Sequence, residues 1–292
     1  MLSSSLLAQS ANLDLVIRHV LAGLGHGIHV GVERGAGVEF SEYRAYTPGD
    51  EWRRVDWKLL ARADRYYVRE AERDSHVAVW LVLDATASMA EPSRRIDGLD
   101  KLAYARAILA CIAAIAQRQG DAFGLVVLSD GRAHCTPAAR GPRQLRRILA
   151  QLQKAAPGGR LPDAAALRSA LHFARAPSLV FAASDFLDWP SPLSSALLRL
   201  RQMRHDVRAL LLQTQAEVDA DFADGAYRDP EADAGMFGFD KSAQAAYAAT
   251  RDAHFGVVAA HSRRHDIPML AARIEQSPGE VVRALLRTAG RR

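Results

Sequence analysis

From residue 77 onward the sequence alternates short, uninterrupted apolar runs with longer helical stretches, and this alternation limits the fold more than any other feature. Residues 77–83 (VAVWLVL), 124–128 (GLVVL), 178–183 (SLVFAA) and 207–213 (VRALLLQ) have strand length and lack the polar alternation of a sheet with one wet face. Such runs belong to strands buried on both faces, as in a parallel sheet covered by helices. Between them, residues 101–116 are nearly all apolar, interrupted by Tyr104, Arg106 and Cys111, which predicts a deeply packed helix. Pro142 and Pro162 each stand where a first helical residue belongs, and residues 191–203 predict another helix. A long helix over 242–264, a last strand over 267–274 and a closing helix over 278–287 complete the series. The expected fold is α/β: a doubly wound, mostly parallel sheet over residues 76–292.

Residues 1–75 read differently, as an N-terminal extension of irregular or β character. They contain the turn Tyr46-Thr47-Pro48-Gly49-Asp50, with Pro and Gly placed as the central residues of a type II turn. Around it lie Glu39, Phe40, Tyr43, Arg44, Asp50, Trp52, Arg53, Asp56, Trp57 and Arg62. That density of aromatic and Arg side chains suggests an ordered layer, packed on the α/β domain or presented to a partner. Arg44, Asp50, Arg53, Asp56 and Trp57 are its candidate partner-binding residues.

The charge balance invites a nucleic-acid reading that its distribution argues against. Lys and Arg (38) exceed Asp and Glu (33). The excess divides into a basic stretch over 132–208, with 13 Lys/Arg against four acids, and an acidic insertion over 216–240, with eight acids against Arg228. The few aromatics of the basic stretch do not alternate with its Arg and Lys residues as base stacking requires, so nucleic acid is not an expected partner. Two cysteines, Cys111 and Cys135, exclude a disulfide scaffold, and HSRRH at 261–265 lacks the Glu of a zinc-protease helix. The chain contains no GK phosphate loop. No apolar run is long enough to span a bilayer, and the N-terminus reads as cytoplasmic rather than exported.

Ligands of open α/β sheets gather outside the carboxyl ends of the strands, where the strand order reverses. Two strand ends carry oxygen-rich side chains. The first runs into Asp84-Ala85-Thr86-Ala87-Ser88, and the third into Ser184-Asp185, with Asp188 beyond. Extended alternation puts Asp84, Thr86 and Ser88 on one side of their loop. Hard oxygens with few formal charges suit Mg²⁺ or Mn²⁺ with some of its waters retained.

Asp84-x-Thr86-x-Ser88 after an apolar strand resembles the metal-ion-dependent adhesion motif of von Willebrand factor A domains, with Asp185 in the place of that family's third-loop Asp. The stretch RGAGVEFSEYRAYTPGDEWRRVDWKLLAR, leading into VWLVLDATASM, strongly resembles the bacterial "domain of unknown function 58" family. That resemblance implies a von Willebrand factor A-like domain and no catalysis. It also implies a role as adaptor or co-chaperone of a MoxR-type AAA+ ATPase acting on protein clients. A metal would be held by Asp84, Thr86, Ser88 and Asp185. The adhesion motif's second-loop Thr has no counterpart in Gly158-Gly159-Arg160-Leu161-Pro162-Asp163, where Asp163 could substitute as a ligand but reads more simply as a helix N-cap or first-turn residue.

The residues leave a metal site and a metal-free one, held by hydrogen bonds to loop amides, both open. Two other functions fit the same outline. One is a metal-free assembly scaffold. The other is a haloacid-dehalogenase-like phosphohydrolase using Asp84 as nucleophile. For the latter, Thr86 stands where the general acid belongs and no catalytic Lys is evident. Ser129-Asp130-Gly131 repeats the Ser-Asp pattern but is expected to enter a hairpin or turn.

Overall fold

The computed structural model describes residues 13–24, 43–46, 57, 59–60, 66–69, 78–172, 177–227, 231 and 236–287. Met1–Val32 and Val77–Arg292 form one compact unit, and Glu33–His76 form another. In the smaller unit, β1 (Tyr43–Ala45) and β2 (Tyr67–Arg69) pair antiparallel, and Tyr46 N–H donates to the Tyr66 carbonyl at 2.9 Å.

The larger unit is built on a six-stranded sheet. Its strands are β3 (Val79–Asp84), β4 (Phe123–Ser129), β5 (Arg132–Ala139), β6 (Leu179–Ser184), β7 (Asp206–Gln213) and β10 (Met269–Arg273). The spatial order is β10-β7-β6-β3-β4-β5, parallel throughout except for β5, which runs antiparallel to β4. The α/β, doubly wound, mostly parallel expectation therefore holds. A short pair, β8 (Gly225–Tyr227) with β9 (Phe237–Phe239), lies outside this sheet.

Each central strand divides its side chains between two cores, because successive residues point to opposite faces. Leu81 and Leu83 of β3 join one core; Trp80 and Val82 join the other. The first core is covered by α1 (Leu13–Leu24), α2 (Lys101–Arg118) and α8 (Pro278–Arg287). Helix α2 lies between the sheet and the outer helices, which is why it is apolar nearly all round. Helix α1 buries Leu13, Val16, Ile17 and Val20, the stripe of an amphipathic helix.

Helix α3 (Pro142–Lys154) joins the first core through Ile148, Leu149 and Leu152, whereas α4 (Ala164–Ala170), α5 (Pro192–Gln202) and α7 (Lys241–Arg264) cover the second; the short α6 (Gln215–Asp219) follows β7. Pro142 begins its helix as expected. Pro162 does not: α4 starts at Ala164, with Asp163 as its N-cap accepting the Ala166 amide at 2.7 Å. The cap carboxylate satisfies an otherwise orphaned amide, so it, and not the proline, sets the start. Helix α5 opens on a reciprocal Ser191–Ser194 capping box.

Asp130-Gly131 forms the two-residue turn between β4 and β5, with φ of +50° and +68°. Two positive φ values are the signature of the type I′ hairpin turn, so this Ser-Asp pair is a turn and not a site. Buried Arg208 of β7 pairs with Asp206 at 3.0 Å and donates to the carbonyls of Leu285 (3.3 Å) and Leu286 (2.7 Å). Those carbonyls lie near the C-terminal end of α8, where the helix dipole favours a cation.

Candidate functional site

The chain leaves β3 toward β4 on one side, then returns to place β6 on the other, so strand order reverses between β3 and β6. Asp84 ends β3, and Ser184 ends β6 with Asp185 directly after it. The expected rim is thus assembled at the point where doubly wound sheets bind ligands.

Asp84 is almost wholly buried, at 2% exposure, and both carboxylate oxygens accept hydrogen bonds. Oδ1 accepts from the Thr86 amide (3.0 Å) and hydroxyl (2.8 Å), and Oδ2 from the Ser184 hydroxyl (2.6 Å). Burial and the neighbouring Asp185 push its pKa up to about 7 against the opposing pull of those bonds. Thr86 and Ser88 are brought together by the 3₁₀ turn Ala87–Ala90, not by extended alternation, and their hydroxyl oxygens are 3.3 Å apart.

Asp185 is neutralised differently. Its Oδ2 accepts from the ammonium of Lys101 at 3.1 Å, and the same ammonium donates to Glu217 Oε1 at 2.6 Å. Lys101 is itself only 1% exposed. Burial alone would depress its pKa, but Asp185 and Glu217 raise it well above the ordinary lysine value. Glu217 is held in turn, its Oε2 accepting the Thr214 amide at 2.6 Å in the capping box of α6. After Asp185 the chain turns sharply at Phe186, buried with φ of +49°. That conformation is unfavourable for a bulky residue, and local strain of this kind gathers at functional sites. Ser184 Oγ accepts the Phe186 amide (3.0 Å), and His254 Nε2 lies 2.9 Å from its carbonyl oxygen.

The loop before α4 closes the rim from the β4 side. Gly158 N–H donates to the Ala85 carbonyl and Ala87 N–H to the Gly159 carbonyl, at 3.0 and 3.1 Å. A Cβ on Gly159 would come within 2.7 Å of Asp130 Cα, and its φ is +57°, so only glycine passes here. Arg160 and Leu161 are thereby delivered to the site. Asp84, Thr86, Ser88, Leu161, Ser184, Asp185, Asp188 and Glu231 line a cavity of about 10 Å³, near the size of one water. Glu231 closes it: its Oε1 accepts the Ser88 amide at 3.2 Å, and its main-chain carbonyl accepts from Arg160 Nε.

Residues 42–255 match the family described as "Protein of unknown function DUF58", well over half of the chain. The chain belongs to the DUF58 family. A relative of this DUF58 protein is "Uncharacterized protein Rv1480" of Mycobacterium tuberculosis, 29% identical over 279 residues, spanning 93% of this chain and 86% of the relative. Among solved structures, similar chains include the conserved hypothetical protein BatB from Bacteroides thetaiotaomicron, at 12% identity and a TM-score of 0.46. That likeness covers 72% of this chain and 96% of BatB. The SpRpn10 VWA domain is similar at 8% identity and a TM-score of 0.43, over 70% of this chain and 93% of that domain.

In this DUF58 chain the four expected metal-site residues fall at one rim. Asp84, Thr86 and Ser88 join directly, and Asp185 stands on its far side, turned to Lys101. Of the expected partner-binding residues, Arg44 lies in β1 opposite Val68, and Trp57 is 57% exposed. Asp50, Arg53 and Asp56 lie outside the described residues. Lys101, Glu217, Glu231 and Arg160 carry no motif and were not foreseen. Among the described residues, no three His, Cys, Asp or Glu side chains group as a metal would need, so the donor set here is hydroxyl-rich. No helix of those residues is long and apolar enough to cross a membrane.

Proposed function

We propose that this chain is a non-catalytic protein-interaction module whose β3–β6 rim receives an acidic side chain of a partner. A hydrated Mg²⁺ or Mn²⁺ assists at the rim. The partner is a MoxR-type AAA+ ATPase, for which the chain serves as adaptor or co-chaperone toward protein clients. Membership of the DUF58 family and the resemblance to adhesion-motif domains support the role. The observation that carries the site chemistry is the Glu231 carboxylate on the Ser88 amide, in a cavity also lined by Thr86, Ser88 and Ser184 and by three further acids.

The donor geometry suits the ion. Cis ligands of an octahedral Mg²⁺ with bonds near 2.1 Å are separated by about 3.0 Å. The Thr86 and Ser88 hydroxyl oxygens are 3.3 Å apart. Thr86 directs its proton to Asp84, which leaves an oxygen lone pair for a cation. Thr86 and Ser88 would hold the ion, while Asp84 and Asp185 supply charge and orient the hydroxyls and waters. A divalent cation there would offer a partner carboxylate an open coordination position. Both Asp84 oxygens already accept hydrogen bonds, and the Lys101 ammonium faces Asp185 and Glu217, which favours binding over nucleophilic attack.

The test is a titration of a purified MoxR-type ATPase with the full chain, in Mg²⁺ and in EDTA. Affinity is expected to fall at least about tenfold, roughly 1.4 kcal/mol, in EDTA and equally in Asp84→Ala. Binding indifferent to both would remove the metal from the account, and absence of binding would remove the ATPase.

A further inference from the structure

Glu231 belongs to the acidic stretch over 216–240. It lies in the connection between β8 and β9, which pair antiparallel from Gly225↔Phe239 to Tyr227↔Phe237. An aromatic cluster holds the arms of this hairpin. Phe222, Phe239 and Tyr247 meet with ring centroids 5.2–5.9 Å apart, and Tyr227 joins Phe222 and Phe239 at 6.0 and 5.9 Å. Arg94 fastens the cluster to the loop that follows Asp84: its guanidinium lies 5.1 Å over the Phe222 ring, and Nη2 donates to the Tyr227 hydroxyl at 3.1 Å. Arg95 of the same loop pairs with Asp219 at 3.1 Å. The hairpin is therefore anchored to the segment that carries Thr86 and Ser88.

At the rim Glu231 touches both loops that frame the cavity, through Ser88 N–H on its carboxylate and Arg160 on its carbonyl. Its carboxylate lines the same small cavity as Asp84, Asp185 and Asp188. Asp185 is paired with the Lys101 ammonium, and the Ser88 amide supplies the Glu231 carboxylate with a donor at the rim.

We infer that Glu231 is a tethered occupant of the carboxylate position, which an acidic partner segment must displace in order to bind. This rests on the reading of the rim as a carboxylate receiver. A tether of this length gives an effective concentration on the order of millimolar, so a free segment competes poorly until Glu231 is removed. The state open to the partner is a minor fraction, and the partner's apparent affinity is reduced by that fraction. The partner chemistry is that of the chain's own occupant: a short acidic segment with a single glutamate, as the sequence of residues 229–233 (DPEAD) has.

The probe is a fluorescent synthetic peptide with the sequence of residues 226–236, titrated by anisotropy in Mg²⁺ into the full chain and its variants. Glu231→Ala is expected to bind it at least about tenfold more tightly than the wild type, as removal of a tethered competitor requires. Glu231→Gln should fall between them, and a peptide with Gln in place of its Glu should lose binding to all three. Equal binding by wild type and Glu231→Ala would overturn the inference while leaving the rim a carboxylate receiver. Binding by neither would overturn the receiver reading as well.

Discussion

Asp84 and Asp185 sit at the ends of two adjacent parallel strands, and both are nearly buried, at 2% and 3% exposure, yet the fold treats them in opposite ways. Asp84 is surrounded by neutral donors, two hydroxyls and an amide. Their pull toward the ionised form is outweighed by burial and the neighbouring Asp185, so its pKa is pushed up to about 7. Asp185 faces a buried ammonium that it shares with Glu217. Hydroxyl donors can rotate and leave lone pairs for a cation, whereas an ammonium is itself the cation. The Asp84 side of the rim is therefore the adaptable half, and the Lys101 side is the fixed half that ties α2, β6 and α6 together.

The strongest way to break this contrast is to remove the fixed charge. Lys101→Met leaves Asp185 and Glu217 buried without their partner, and should cost about 3–5 kcal/mol of stability in urea unfolding. Asp185→Asn should cost less, about 2 kcal/mol, because Lys101 keeps Glu217 and only one charge-assisted bond is weakened. A loss for Asp185→Asn equal to that for Lys101→Met would mean the ammonium depends on Asp185 alone.

The Asp84 half is sharpened by pH. An ordinary aspartate ionises near 3.8, while folded Asp84 holds its proton to about 7. Between those values the folded state binds one proton more than the unfolded state. This contribution therefore weakens folding as pH rises, by about 1.4 kcal/mol per pH unit, and is flat outside the window. Asp84→Asn removes it. The stability difference between wild type and variant, measured in EDTA across that range, should slope in wild type's disfavour as pH rises. A flat difference would show Asp84 to be ionised throughout.

The smallest expected effect concerns the cation. Mg²⁺ at a few times its Kd should stabilise the wild type by about 1 kcal/mol, read as a rise in Tm, through preferential binding to the folded state. Ser88→Ala should abolish that rise while changing stability in EDTA by less than about 0.5 kcal/mol. A Tm rise that persists in Ser88→Ala would place the ion elsewhere.

Much of this fold is legible because strands buried on both faces need no polar alternation. Strands β3, β4, β6 and β7 appear in the sequence as apolar runs for that reason. Edge strand β5, Arg132–Ala139, shows no such run, because of its residues only Thr136 is buried. Its Asp130-Gly131 turn was nonetheless in plain view. Helix α1 carried a readable stripe in Leu13, Val16, Ile17 and Val20, inside a stretch dominated by glycines and turn residues further on. The Pro162 expectation failed because a proline and a capping carboxylate stood side by side, and the carboxylate had the amide to satisfy.

The sequence by itself determined the parallel strands of the sheet, its central helix and the Asp-x-Thr-x-Ser and Ser-Asp strand ends, because apolar periodicity and local oxygen spacing are properties of neighbouring residues. Only the tertiary structure decided what surrounds those oxygens. Lys101 meets Asp185 across 84 residues and Glu217 across 116, and Glu231 meets Ser88 across 143. In the sequence Lys101 is one polar residue at the start of an apolar helix, and Glu231 is one acid among eight. Their meaning comes from the crossing of β3 to β6 and from the hairpin clamped by Arg94. Electrostatic partnership depends on distance in space and burial, and neither is written in local spacing.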